Sequence, residues 1–170
     1  MREFLGFKRV YEKVLGGQYS SHDTFRQEFI EALKNELSRM CPRILGLINP
    51  ILEYRVKKGR ADLRIFNFVF EFDKPPRERS PILQEKRDQL LNYLNSIKDK
   101  LGLRGSTVKL YGVITNGWFM EIHECGHEPI SGDFLNVSQI LLNLICSHIK
   151  EGDKFPLIDP DDFISLFGAW

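Results

Sequence analysis

Apolar positions along the chain change period several times, and each change marks an element. From Glu3 to Leu15, Leu5, Val10, Val14 and Leu15 recur at helical spacing, and Gly16-Gly17 stops the run. After a polar turn, Gln18 to Ser21, a second helix is predicted from Asp23 to Met40. Its stripe is Phe25, Phe29, Ile30, Leu33 and Leu37, and Pro42 ends it. The period then drops to two. Leu52, Tyr54 and Val56 alternate with Glu53, Arg55 and Lys57, which predicts a half-buried strand from Ile51 to Lys58. A second strand starts near Ala61, runs to Ile65 and turns at Phe66-Asn67. A third covers Phe68 to Asp73 and is halted by Pro75-Pro76.

Helical spacing returns from Pro81 to Leu101, with Leu83, Leu90, Leu94 and Ile97 on one side. Gly102 to Ser106 reads as a turn. Thr107 to Thr115 is apolar enough to be buried on both faces, Asn116-Gly117 signals a hairpin, and Trp118 to His123 is the partner strand. A loop with Gly and Pro follows, and Val137 to Ile149 reads as a last long helix. The order helix, helix, three strands, helix, two strands, helix predicts a mixed α/β fold, a central sheet flanked by helices.

The 170 residues suit one domain, and a hydrophobic share of 42% with 28% charged residues is globular. Net charge is only +1, so global charge gives no support for nucleic-acid binding. Two local basic runs do stand out: Arg55, Lys57, Lys58 and Arg60, and then Lys74, Arg77 and Arg79. Either run also suits a solvated loop. Three cysteines without a CxxC pair fit reduced thiols and a cytoplasmic protein. His123-Glu124-Cys125-Gly126-His127 lacks the second paired cluster that a structural zinc site needs. No apolar stretch of 18 residues spans a membrane.

The candidate chemistry lies in GRADLRIFNFVFEFDKPP, residues 59–76. In a strand, Phe68, Phe70 and Phe72 point one way and Val69, Glu71 and Asp73 the other. Glu71 and Asp73 then share a face, about 7 Å apart. Like charges at that spacing repel unless a cation or proton relieves them. If the second and third strands pair antiparallel, Asp62 falls opposite the Asp73 end. Three carboxylates on adjacent strands make an oxygen-rich site for Mg²⁺ or Mn²⁺, which suits phosphodiester cleavage. The same spacing also describes the solvent face of an amphipathic strand.

A GRxD turn, a short strand, an apolar strand ending in an acidic dyad and a helix with Gln89-x-x-x-Tyr93 together resemble the PD-(D/E)XK nuclease superfamily. The chain is most similar there to the N-terminal nuclease-like domain of restriction-modification proteins that also carry an adenine-N6 DNA methyltransferase. The likeness runs from Asp23 to Glu124 and is clearest from Gly59 to Tyr93, with Tyr111 to Gly117 resembling the family's following hairpin.

This resemblance implies a restriction-endonuclease-like fold over residues 1–155 and a metal-dependent DNA endonuclease of a restriction-modification type system. Asp62, Glu71, Asp73 and the Phe72 carbonyl would hold Mg²⁺ or Mn²⁺, and Gln89 would orient the attacking water or a phosphate. Arg60, Lys58 and Tyr93 would contact substrate. A methyltransferase or specificity module would supply sequence recognition, and a homodimer would let both strands be cut. The alternative is an inactive nuclease-fold domain that docks DNA or a partner subunit.

Two departures bear on activity. The family's lysine falls at position 73, where this chain has Asp73; Lys74 follows, on the opposite face by alternation. The family's first-helix acid has three candidates, Asp23, Glu28 and Glu31, of which Glu28 is preferred, while Asp23 also suits a helix cap. Finally, Pro160-Asp161-Asp162 opens a short helix with Phe163, Leu166, Phe167 and Trp170 as its apolar set. Residues 156–170 therefore read as a helical segment leading to a further domain.

Overall fold

A computed structural model describes residues 5–42, 51–56, 59–65, 67–100, 102 and 109–150, with side chains for all of these except 51–60, 149 and 150. Lys58 and the segment 156–170 lie outside the described residues, as does the Arg60 side chain.

The fold is mixed α/β. The helices are α1 (Leu5–Leu15), α2 (His22–Met40), α3 (Gln84–Lys100) and α4 (Phe134–Lys150). The strands are β1 (Ile51–Val56), β2 (Gly59–Ile65), β3 (Phe68–Phe72), β4 (Tyr111–Thr115), β5 (Phe119–Glu124) and β6 (Ile130–Asp133). They form one sheet in the order β1-β2-β3-β4-β5-β6. The β3–β4 pair is parallel and α3 is its crossover; all other neighbours are antiparallel.

The phenylalanine alternation in β3 decides the layering. Phe68, Phe70 and Phe72 join the main core with Phe7 of α1, Phe25, Phe29 and Leu33 of α2, and Leu141 and Ile145 of α4. Val69 joins a second cluster with Tyr93, Leu94 and Ile97 of α3. Helices therefore cover both faces of β3, and all five of its residues are buried. Burial on both faces also holds for β4, as its unbroken apolar run predicts.

Several local expectations change. In α1 the buried face is Phe7, Val10 and Val14, while Leu5 and Leu15 are exposed. Ser21, not Asp23, caps α2: its Oγ accepts from Thr24 N at 3.1 Å, and Asp23 pairs instead with Arg26 in the first turn. Helix α3 begins at Gln84 rather than Pro81, because the Leu83 carbonyl accepts the first helical amides from Lys86 and Arg87. Leu83 is exposed, and Tyr93 takes its place in the buried stripe. The loop before α4 contains β6, whose Ile-Ser-Gly-Asp sequence reads as a turn yet pairs Asp133 with Phe119. Helix α4 then starts at Phe134, three residues earlier than its apolar period suggests.

The hairpin after β4 is as expected. Asn116 Oδ1 accepts from the amides of Trp118 and Phe119, each at 3.0 Å, and Gly117 has φ +83°. Trp118 is buried with its indole NH on the Pro76 carbonyl, so it packs the sheet. His148 sits edge-on to Phe68 and Tyr111, a packing position. None of Cys41, Cys125 and Cys146 forms a disulfide. No helix among the described residues is long and apolar enough to cross a membrane.

Candidate functional site

β2 and β3 bring two carboxylates together. Their ladder pairs Leu63 with Phe70 and Arg64 with Val69, so one step further along this register Asp62 comes beside Glu71. Asp62 thus faces Glu71 rather than the Asp73 end. Here the side chain takes over from the ladder: Asp62 Oδ2 accepts the Phe72 amide at 2.8 Å. This bond fixes the carboxylate at the open end of the two strands, where it is 18% exposed.

Glu71 is only 4% exposed, which rules out the solvent-face alternative for this residue. Its Oε2 is buried with no hydrogen-bond partner. Burial, and next the charge of Asp62, push its carboxyl up from 4.5 to about 8. Lys86 and the Asp62 backbone amide pull in the opposite direction, and Asp73 adds a further upward push. Asp73 is half-buried, tied by its amide to the Thr115 carbonyl at 2.9 Å. It acts on Glu71 through charge.

A third side chain reaches the pair from α2. His22 Nε2 lies 3.0 Å from Asp62 Oδ2, and its Nδ1 lies 3.3 Å from Asp23 Oδ1. The first-helix partner of the site is therefore His22 and not Glu28. Glu28 is held by Lys13 Nζ and by the Tyr19 hydroxyl, each at 2.6 Å, and this pairing outweighs its burial and lowers its pKa. Glu31 lies beside it, on the cleft between α1 and α2.

The other expected residues divide. Phe72 enters through its amide. Lys74 is exposed and lines a cleft against the α1–α2 turn, in keeping with alternation away from Glu71. The missing lysine charge comes instead from α3. Lys86 sits one turn before Leu90. Leu90 packs on Ile114, the β4 residue in register with Glu71. Gln89 donates to the Tyr93 hydroxyl, so these two form a pair on α3, and Tyr93 packs against Ala61 and Val69.

Farther along the same face, α3 is latched to β5. Arg87 Nε contacts both oxygens of buried Glu121 at 2.9 Å, and His123 Nε2 lies 2.9 Å from Oε2. Glu121 is pulled down to about 2: the His123 and Arg87 contacts overcome its burial. Arg79, from the second basic run, bonds Asp133 and lies 4.7 Å above the Phe119 ring, so it is committed to the fold.

Among the described residues no three His, Cys, Asp or Glu side chains converge as a ready-made metal cage. The pair nevertheless fits a hard divalent cation. Mg²⁺ needs only one or two carboxylates, completed by waters and phosphate oxygens, and the bare Glu71 oxygen is an unused donor. No protein-family model, curated protein or solved structure matches this chain.

Proposed function

We propose that this chain is a divalent-metal-dependent DNA endonuclease domain with a restriction-endonuclease-like fold, acting in a restriction-modification type system. The observation that carries this reading is the Glu71 carboxylate, buried beside Asp62 with one oxygen unpartnered. A fold does not leave a like-charged buried pair uncompensated without a reason, and relief by a cation is the simplest one.

In this reading Asp62 and Glu71 hold Mg²⁺ or Mn²⁺, with Asp73 and the Phe72 carbonyl as neighbouring oxygen donors. When bound, such an ion lowers the pKa of its water and stabilises charge on a phosphate. The chain's own groups do the rest. His22 and the Phe72 amide fix the orientation of Asp62. Lys86 adds positive charge at Glu71 in the role that Asp73 cannot fill. Gln89, braced by Tyr93, is the candidate to orient water or phosphate, and Lys58 and Arg60 are candidates for backbone phosphate contacts. Hydrolysis joins the water oxygen to phosphorus as the bond to the leaving oxygen breaks, and the leaving oxygen takes up a proton.

A second reading is favoured by Asp73 at the lysine position: a domain that binds DNA, or a methyltransferase or specificity partner, without turnover. Titrating Mg²⁺ and Mn²⁺ against the full chain with supercoiled DNA, RNA and a small phosphodiester separates the two. Nicking of DNA that Asp62→Asn and Glu71→Gln each abolish is the expected result. Metal binding without cleavage of any substrate supports the second reading, and no metal binding overturns the site.

A further inference from the structure

Beside the acid pair lies a cleft of about 370 Å³ between the α1–α2 turn and the segment after β3. Its walls are residues 17–20 and 74–77, with Val14 at the end of α1. Both walls are continuous with the acid site. Residue 20 lies two positions before His22, and residue 74 directly follows Asp73, so each wall leads away from the site within about 7 Å of chain.

The lining carries Lys74 and Arg77 and no carboxylate. Both cations are exposed, and neither has an ion pair among the described residues, in contrast to Arg79 two positions on. Tyr19 does not bring the Glu28 charge into the cleft uncompensated, since Lys13 bonds that carboxylate. Gln18 and Ser20 add polar side chains.

The cleft is also braced. The Trp118 indole NH holds the Pro76 carbonyl at 2.8 Å. Gly117, at φ +83°, lies so close beneath that a Cβ there would sit 2.8 Å from Val14 and 3.0 Å from Pro75. Two consecutive prolines fix the backbone between the cations. A rigid concave surface with two unpaired cations binds anions without first ordering a loop.

We infer that this cleft is a phosphate-binding track for a nucleic-acid strand, with Lys74 and Arg77 gripping backbone phosphates next to the one presented to Asp62 and Glu71. The inference deepens the proposed function and takes its choice of a nucleic-acid ligand from that reading. It requires no cleavage.

The test is binding of a fluorescent DNA duplex, and of its separate strand, to the full chain by anisotropy in EDTA from 50 to 200 mM salt. For the Lys74→Ala/Arg77→Ala double variant, affinity is expected to fall by about tenfold at low salt. The slope of log affinity against log salt is expected to drop by about two. A Lys34→Ala/Lys98→Ala control with the same charge change should keep the wild-type slope, and Lys74→Arg/Arg77→Lys should retain binding. Loss in the first variant alone supports the track whether or not the wild type nicks DNA. A slope unchanged in that variant, an equal loss in the control, or no wild-type binding at 50 mM salt overturns it. None of these outcomes decides the nuclease reading, which stands on metal-dependent nicking.

Discussion

Glu71→Gln should make the metal-free protein more stable at pH 8 and flatten its response to pH. Glu71 has a folded value of about 8 against an ordinary 4.5. A carboxyl raised on folding contributes stability that is fully present below the unfolded value and is lost as pH rises through the folded one. Between pH 5 and pH 8 the unfolded chain releases this proton while the folded chain retains it. Integrating over that window gives a loss of roughly 3–4 kcal/mol, at 1.36 kcal/mol per pK unit. Glutamine keeps the shape and has no charge to desolvate. The assay is urea unfolding in EDTA at half-unit steps from pH 5 to 9, on wild type and variant. The informative quantity is the difference between the two curves, because it removes every other titrating group. The difference should grow in the variant's favour up to pH 8 and then level off. Mg²⁺ should stabilise the wild type more as pH rises, since proton and cation compete for the same oxygen. Parallel curves for the two proteins would refute the account of Glu71 as a buried, uncompensated acid.

Three other perturbations probe the surroundings. Lys86→Met removes the cation that eases Glu71, so the pH at which wild-type stability falls should move upward in the same unfolding series. Glu121→Ala leaves the Arg87 guanidinium facing His123 without a counter-charge and should cost roughly 3 kcal/mol at pH 7. Glu121 is depressed to about 2, so its contribution is present above pH 4.5 and fades as pH falls toward 2; the gap between wild type and Glu121→Gln should close over that range. Gly112→Ala places a methyl 2.8 Å from Leu94 and 3.0 Å from Leu90, where α3 crosses β4, and should lower the urea midpoint by the equivalent of about 1–3 kcal/mol.

The acid strand was legible because its signal is local. A period of two over five residues fixes which side chains share a face, and the flanking prolines fix where the strand stops. His22 carries no such signal. It meets Asp62 across 40 positions of chain, and only the packing of α2 on β3 brings them together. Lys86 had a signal that passes unnoticed: it precedes Leu90 and Leu94 by four and eight residues, so it continues their stripe at the rim. Glu121 misleads in the opposite way. Between Met120 and Ile122 it reads as the wet side of a hairpin strand, yet α3 covers it and Arg87 neutralises it. β6 fails locally because Ser131-Gly132-Asp133 has turn composition, and it pairs only because β5 offers an edge.

The net charge of +1 looks like an argument against a nucleic-acid surface, and the structure changes its weight. Much of the cationic charge is spent within the fold: Lys13 on Glu28, Arg26 on Asp23, Arg79 on Asp133, Arg87 on Glu121 and Lys109 on Glu124. Such pairs cancel locally and are largely screened at the distance of an approaching polyanion. What remains uncancelled near β3 is segregated. The negative charge sits at Asp62, Glu71 and Asp73, and the positive charge sits at Lys74 and Arg77, on the adjoining cleft. A phosphate strand is repelled by the first group unless a cation is there and attracted by the second. Binding should therefore depend on salt through the cleft and on divalent metal through the acids. Those two dependences can be separated by mutation, which makes local rather than total charge the quantity to measure.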